Sequence, residues 1–223
     1  MNLPRIRTSS AGWLHQARVR VITWWPVKMI GTALIMTAFF VAYFWVLNHP
    51  FFPVTTMPVT AIDRLIGFRP EALPLYLSLW FYLSLAPALL MDRREIMSYG
   101  VVTVGMSVIG LGIFLLWPTT VARTDMVLSQ HSTFAFIMAA DAAGNACPSL
   151  HVAFAVFTAI WLARILRQMD TGRFLRALNW LWCLGILYST VAIRQHVVLD
   201  VLAGAGLGAI VAMLHLRCLR ASN

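Results

Sequence analysis

The chain has 223 residues, 60% of them hydrophobic and only 11% charged, and it carries a formal net charge of +9. Soluble domains hold roughly 25% charged residues, so this composition excludes a soluble globular domain and points to an integral membrane protein. The three cysteines, Cys147, Cys183 and Cys218, are too few and too scattered for a disulfide framework or a zinc site; they are expected as small buried residues.

Residues 1–26 form a basic N-terminal segment containing Arg5, Arg7, Arg18 and Arg20. No small-residue cleavage site follows the first apolar run, so that run is expected as a retained helix and not a cleaved signal. Six apolar runs follow, at about 27–47, 73–91, 99–117, 151–166, 175–194 and 197–216. Each approaches the roughly 20 residues that a helix needs to cross a bilayer, the fourth and sixth by the narrowest margin. The expected fold is all-α: a polytopic six-transmembrane-helix bundle, one domain over 27–216, with a short tail at 217–223.

Orientation follows from Lys and Arg. One side of the membrane receives Arg5, Arg7, Arg18, Arg20, Lys28, Arg93, Arg94, Arg164, Arg167, Arg173, Arg176, Arg217 and Arg220. The other receives Arg64, Arg69, Arg123 and Arg194. This asymmetry predicts a multi-pass protein of an inner (plasma) membrane with both termini in the cytoplasm. It also accounts for the basic charge without nucleic acid. The expected partners are the bilayer and a membrane lipid.

Two segments on the outer side stand out. Residues 48–72 contain Pro50, Pro53, Pro58 and Pro70, and Val59, Ile62 and Ile66 recur there at helical spacing beside Asp63 and Arg64. The pattern fits a short helix lying in the interface, and equally an ordinary connection. Residues 118–147 are long for a structureless loop, and the mostly apolar stretch from His131 to Ala140 suits a segment that dips into the membrane or caps a site. The fifth and sixth runs are almost contiguous, which predicts an antiparallel hairpin with Arg194 to His196 near its tip.

On this topology the outer ends of the spans deliver Arg123, Ser149, His151, Arg194, His196 and Asp200 to about the same depth. Ionisable groups so close to a bilayer are costly and usually have both partners and a function. His196 and Asp200 are four apart and would share a helical face; a carboxylate there fixes the tautomer of the imidazole and favours its cationic form. Pro148 suits the first position of a helix, whose free N–H groups form an anion site to which Ser149 can add a donor. Arg123 and Arg194 can grip phosphate oxygens with paired donors. One histidine can attack phosphorus while the other protonates the leaving oxygen, with Asp200 orienting the attacker. Plainer roles exist for each: a helix cap for Ser149, headgroup anchors for the two arginines, interhelical packing for a lone histidine. His131 and His49 are weaker candidates, and His15 and His215 fall at the cytoplasmic side. Too few ligands converge for a metal shell.

These residues carry a resemblance. Pro148-Ser149-Leu150-His151 matches the P-S-x-H motif of the type 2 phosphatidic acid phosphatase superfamily of membrane lipid phosphatases. Ser189 to Asp200 matches that superfamily's S-R-x-x-x-x-x-H-x-x-x-D motif, with Thr190 where arginine is expected. The Ser-Thr variant, Cys147 before the Pro-Ser-Leu-His run, and the segment from Pro58 to Pro70 with Asp63 resemble the branch that contains inositol phosphorylceramide synthases. The resemblance spans most of residues 50–210. It implies that His196 is the nucleophile and becomes phosphohistidine, that Asp200 supports it, that His151 is the general acid and that Ser149 binds phosphate. The superfamily's K-x-x-x-x-x-x-R-P motif is absent in that form; Pro118 to Arg123 stands in its place, and only Arg123 carries over. Arg194 is the nearest replacement for the arginine missing at 190. No metal and no organic cofactor is implied. The expected activity is lipid phosphate hydrolysis at the outer face. The alternatives are transfer of a phospho-headgroup to a lipid or polyol acceptor and, outside enzymes, a lipid transporter or scaffold that kept the fold.

Overall fold

The computed structural model describes residues 12–122 and 144–221. Among these residues, six helices are long and apolar enough to cross a membrane: α2 (Trp25–Asn48), α4 (Leu73–Leu89, extended at its start by a 3-10 turn from Pro70), α5 (Arg93–Leu116), α6 (Leu150–Gln168), α7 (Arg173–Ala192) and α8 (Val198–Ala221). The protein is thus an all-α polytopic bundle. Helices satisfy their own backbone hydrogen bonds, which hydrocarbon cannot do. Several overrun the apolar runs because charged residues extend them at the interface. The α5 helix starts at Arg93 because the Asp92 side chain accepts from the N–H groups of Arg94 and Glu95, a standard N-cap. Ahead of the bundle, α1 (Trp13–Ile22) buries none of its residues. It is tied down by cations at helix ends: Arg20 donates to the Leu89 carbonyl at 3.1 Å, and Lys28 Nζ donates to the carbonyls of Arg20 (2.6 Å) and Ala88 (2.8 Å). Positive charge is favoured where helix carbonyls run out.

The α6 helix is the axis of the bundle and the most deeply buried span, with α4, α7 and α8 packed around it. Its contact with α8 is backbone to backbone. A Cβ on Gly204 would sit 2.2 Å from the Ser149 carbonyl oxygen, and one on Gly208 would sit 2.2 Å from that of Ala153. Gly204 and Gly208 have the small-xxx-small spacing that lets membrane helices approach this closely. The hairpin expected of the last two spans is therefore corrected: α7 and α8 are consecutive, but each packs mainly on α6 and only slightly on the other.

Among the described residues, the segments between spans on the site side carry regular structure. Strand β1 (Thr55–Met57) pairs in parallel with β2 (Thr119–Val121), Thr55 opposite Thr119, which joins the first outer segment to the end of α5. Thr119 then receives the chain on its way to α6: its carbonyl accepts from Ala146 N–H and its hydroxyl from Cys147 N–H. The short helix α3 (Ala61–Ile66) begins only after Val59 and turns Asp63 inward while Ile62 stays exposed. A short helix is thus present in this segment, with Ile62 and Leu65 on its exposed side and Asp63 on its buried side. Its Thr60–Asp63 capping box sets the start, and Arg69 N–H holds the following loop to the Ala192 carbonyl at 2.7 Å.

Gly208→Ala should lower the melting temperature in detergent by the equivalent of about 1–3 kcal/mol, because a backbone atom must give way. Gly206→Ala, where an added Cβ meets nothing within 4 Å, should be neutral or slightly stabilising. Equal behaviour of the two variants would refute the close approach.

Candidate functional site

The site is built on the N-terminus of α8, and two carboxylates organise it. Asp200, in the first turn, reaches back so that Oδ2 accepts from Val197 N–H at 3.0 Å. Asp63 comes from the first outer segment, and its Oδ1 accepts from Val198 N–H at 2.8 Å. Its Oδ2 takes the Thr60 N–H and hydroxyl at 2.7 and 2.6 Å. Negative charge is stabilised where helix N–H groups are unpaired, which is why two carboxylates of 0% and 3% exposure tolerate burial there. Asp200 is also tied to the start of α6, its carbonyl accepting from Ser149 N–H at 3.0 Å.

His196 precedes α8 instead of lying on it, so the shared helical face expected for His196 and Asp200 is corrected. The two still meet, because the bend before the helix folds the imidazole over the first turn. His196 Nδ1 lies 3.6 Å from Asp200 Oδ2, close enough for an ion pair and too long for a hydrogen bond. On the far side of the ring, His196 Nε2 is 3.3 Å from His151 Nδ1, and His151 Nε2 is 3.1 Å from the Tyr76 hydroxyl. The carboxylate only accepts, so it selects the His196 tautomer with hydrogen on Nδ1. With that tautomer Nε2 carries the lone pair and can accept from His151 Nδ1, while His151 Nε2 bonds the Tyr76 hydroxyl. One ionised group thus orders three others along a line.

Both histidines open onto a cavity of about 770 Å³ lined mainly by apolar side chains. Gly144, Asn145, Tyr76 and Gln195 line it beside them. Asn145 is buried, has a left-handed backbone at φ 54°, and its Nδ2 has no hydrogen-bond partner among the described residues. Cys147 lies against Asp200. Burial, and secondarily the Asp200 charge, push its thiol up to about 11, so it is protonated at neutral pH and no rival nucleophile.

The structure thus brings together His151, His196 and Asp200. Ser149 lies beside them as the N-cap of α6. Its fully buried hydroxyl accepts from Val152 N–H and does not line the cavity. Pro148 precedes this cap and so lies outside the helix, not at its first position. Arg194 has a left-handed backbone and is half-buried, away from the cavity lining. Thr190 is spent on its own helix, donating to the Leu187 carbonyl. Arg123 and His131 lie outside the described residues. Among the described residues no three His, Cys, Asp or Glu side chains gather into a metal-binding group. Asp63, Tyr76 and Asn145 were not among the expected site residues. Of these only Asp63 left a local trace, the Thr-x-x-Asp pattern of a helix start.

A polytopic bundle with two histidines and a carboxylate gathered where two of its helices begin defines a class of membrane-embedded proteins. The particular family follows from sequence comparison: residues 94–223 match the family model described as the PAP2 superfamily, more than half of the chain. The chain belongs to the PAP2 superfamily, whose members include phosphatases and phosphotransferases that act on lipids. No curated protein and no solved structure matches it.

Asp63→Ala would leave the Val198 N–H without its charged acceptor. Such bonds contribute about 1.5–3 kcal/mol, so a lower melting temperature and slower turnover are expected. An unchanged Asp63→Ala protein would mean that α8 needs no help from the first outer segment.

Proposed function

We propose that the protein is a membrane lipid phosphatase that cleaves a phosphate ester or anhydride through a phosphohistidine at residue 196. The observation that carries this reading is the line Tyr76, His151, His196, Asp200 opening onto an apolar cavity. His196 Nε2 attacks phosphorus as the bond to the leaving oxygen breaks. A protonated His151 gives that oxygen its proton, the Tyr76 hydroxyl oxygen then accepting from Nε2. Asp200 stabilises the charge that His196 gains. Water, deprotonated by His151, next attacks phosphorus; the N–P bond breaks, phosphate leaves and both histidines are restored. In-line displacement needs phosphorus between nucleophile and acid, so the 3.3 Å contact of the two rings opens when substrate binds. Asn145 Nδ2 is the donor best placed to take over a phosphate oxygen from the arginine that Thr190 replaces. Ser149 contributes by holding the start of α6, and Arg123 and Arg194 are the remaining candidates for phosphate charge.

A second reading is transfer, as in the branch containing inositol phosphorylceramide synthases. Thr190 in the arginine position and the apolar walls favour it, because a positioned alcohol acquires a large effective molarity over water. We place the site at the outer face, with residues 1–26 and 217–223 in the cytoplasm and 27–216 as the single membrane domain. The charge asymmetry of the loops supports that orientation.

His196→Ala should reduce turnover by roughly three orders of magnitude or more with the fold intact, and Asp200→Asn nearly as much. Asn145→Ala should lose roughly tenfold or more. Full activity of His196→Ala would remove the covalent mechanism and leave the scaffold reading. Labelled substrate, followed with and without diacylglycerol, ceramide or inositol lipid, separates the two outcomes: label captured by an acceptor with none in water replaces phosphatase by transferase. In a background lacking Cys218, Arg69→Cys should react with an impermeant thiol reagent outside the cell and Asp170→Cys should not. The reverse pattern would invert the orientation.

A further inference from the structure

We propose that the cavity beneath the two histidines is a slot for one hydrocarbon tail of the substrate lipid, and that its inner end sets the tail length accepted. The inference rests on the reading of His196 given above and adds the class of ligand: a phospholipid-like molecule with a long, unbranched tail. The cavity reaches from His151 and His196 down to Lys28. Along α2 its lining runs from Val27 to Phe44, about 25 Å at 1.5 Å per residue, against roughly 30 Å for the hydrocarbon layer. Its walls are the side chains of Phe39, Tyr43, Leu79, Leu83 and Phe154. An apolar space of this length inside a bilayer is filled by hydrocarbon. Since it begins at the two histidines, the tail attached to the phosphate at His196 is the chain held in place to enter it.

Two features make the slot selective. Its floor is charged: Lys28 is buried, and its ammonium is fixed between two carbonyls at 2.6 and 2.8 Å. A methyl end pressed against it would cost solvation that nothing returns. Just above the floor the room comes from a missing side chain, because a Cβ on Gly31 would meet nothing within 4 Å. The slot also has a way in. Only 6% of the apolar window of α2 is buried, and that helix packs chiefly on α5, so a tail can enter sideways from the bilayer.

The test is Gly31→Trp, with Gly105→Trp as control. Gly105 also has open space at its Cβ but does not line the cavity. Substrates with octanoyl, palmitoyl and stearoyl tails are compared in one detergent. Gly31→Trp should lower the ratio of long-tail to short-tail kcat/KM by roughly tenfold or more, and the control should not. A second readout needs no turnover: a palmitoyl lipid phosphate with a photoactivatable group at its tail end, bound to His196→Ala protein, should crosslink to α2 and α5 near Gly31 and Gly100. An unaltered length profile in Gly31→Trp, or crosslinks scattered over the outer faces of α7 and α8, overturns the slot. If no lipid phosphate is turned over while the crosslinks fall as expected, the catalytic reading fails and the slot stands.

Discussion

The backbone contact between α6 and α8 is the constraint on which the rest depends. Side chains normally hold helix axes 8–10 Å apart, and Gly204 and Gly208 remove them along one stripe. The first turns of the two helices then come close enough for Ser149 N–H to reach the Asp200 carbonyl. That bond fixes the relative height of the two helices, and hence of the residues just before and after their starts. The contact of His151 with His196 is a consequence of this height. Among the described residues, Asp200 is the charged residue that lies against the His196 ring.

Burying Asp200 would be prohibitive in isolation, since no cationic side chain pairs with it among the described residues except His196 itself. The helix end offsets part of the cost: Val197 N–H is a direct donor, and the aligned peptides of α8 act as partial positive charge. Asp63 adds a second negative charge at the same helix end, and the two divide the N–H groups between them. Each carboxylate satisfies a backbone donor that the other does not reach, so both are retained despite their mutual repulsion.

Much of the fold was legible because membranes leave the backbone few choices. The six apolar runs became six helices, and the errors lie at their ends, where Asp92 caps α5 early and Arg217 and Arg220 prolong α8 past its apolar run. The pairing of helices was less legible: the short link after Ala192 suggested a hairpin, whereas the glycines of α8, which decide the packing, direct it onto α6. At the candidate site, the gathering of His151, His196 and Asp200 was readable from motif spacing. Tyr76 was not, because one tyrosine among the aromatic residues of an apolar helix carries no signal of a partner 75 residues away. Asn145 was hidden for a different reason: its significance lies in an unpaired Nδ2 and a left-handed backbone, neither of which a residue name discloses. Asp63 was noticed as a charge in a helical pattern, but its bond to Val198 crosses 135 residues.

The parallel pairing of β1 with β2 stitches together stretches of chain from either side of residue 94, where the family match begins. His151, His196 and Asp200 lie after that point. Asp63, Tyr76 and the α2 and α4 walls of the cavity lie before it. The gathered histidines and much of the cavity wall beside them thus come from different stretches of one polypeptide, joined by that strand pair and by the packing of α2 on α5 and of α4 on α6 and α7. Such a division lets the earlier stretch, and the cavity walls it supplies, change in sequence while the two histidines and Asp200 stay as they are. It also means that the later stretch, expressed alone, would carry both histidines and Asp200 without Asp63, Tyr76 and the cavity walls that surround them.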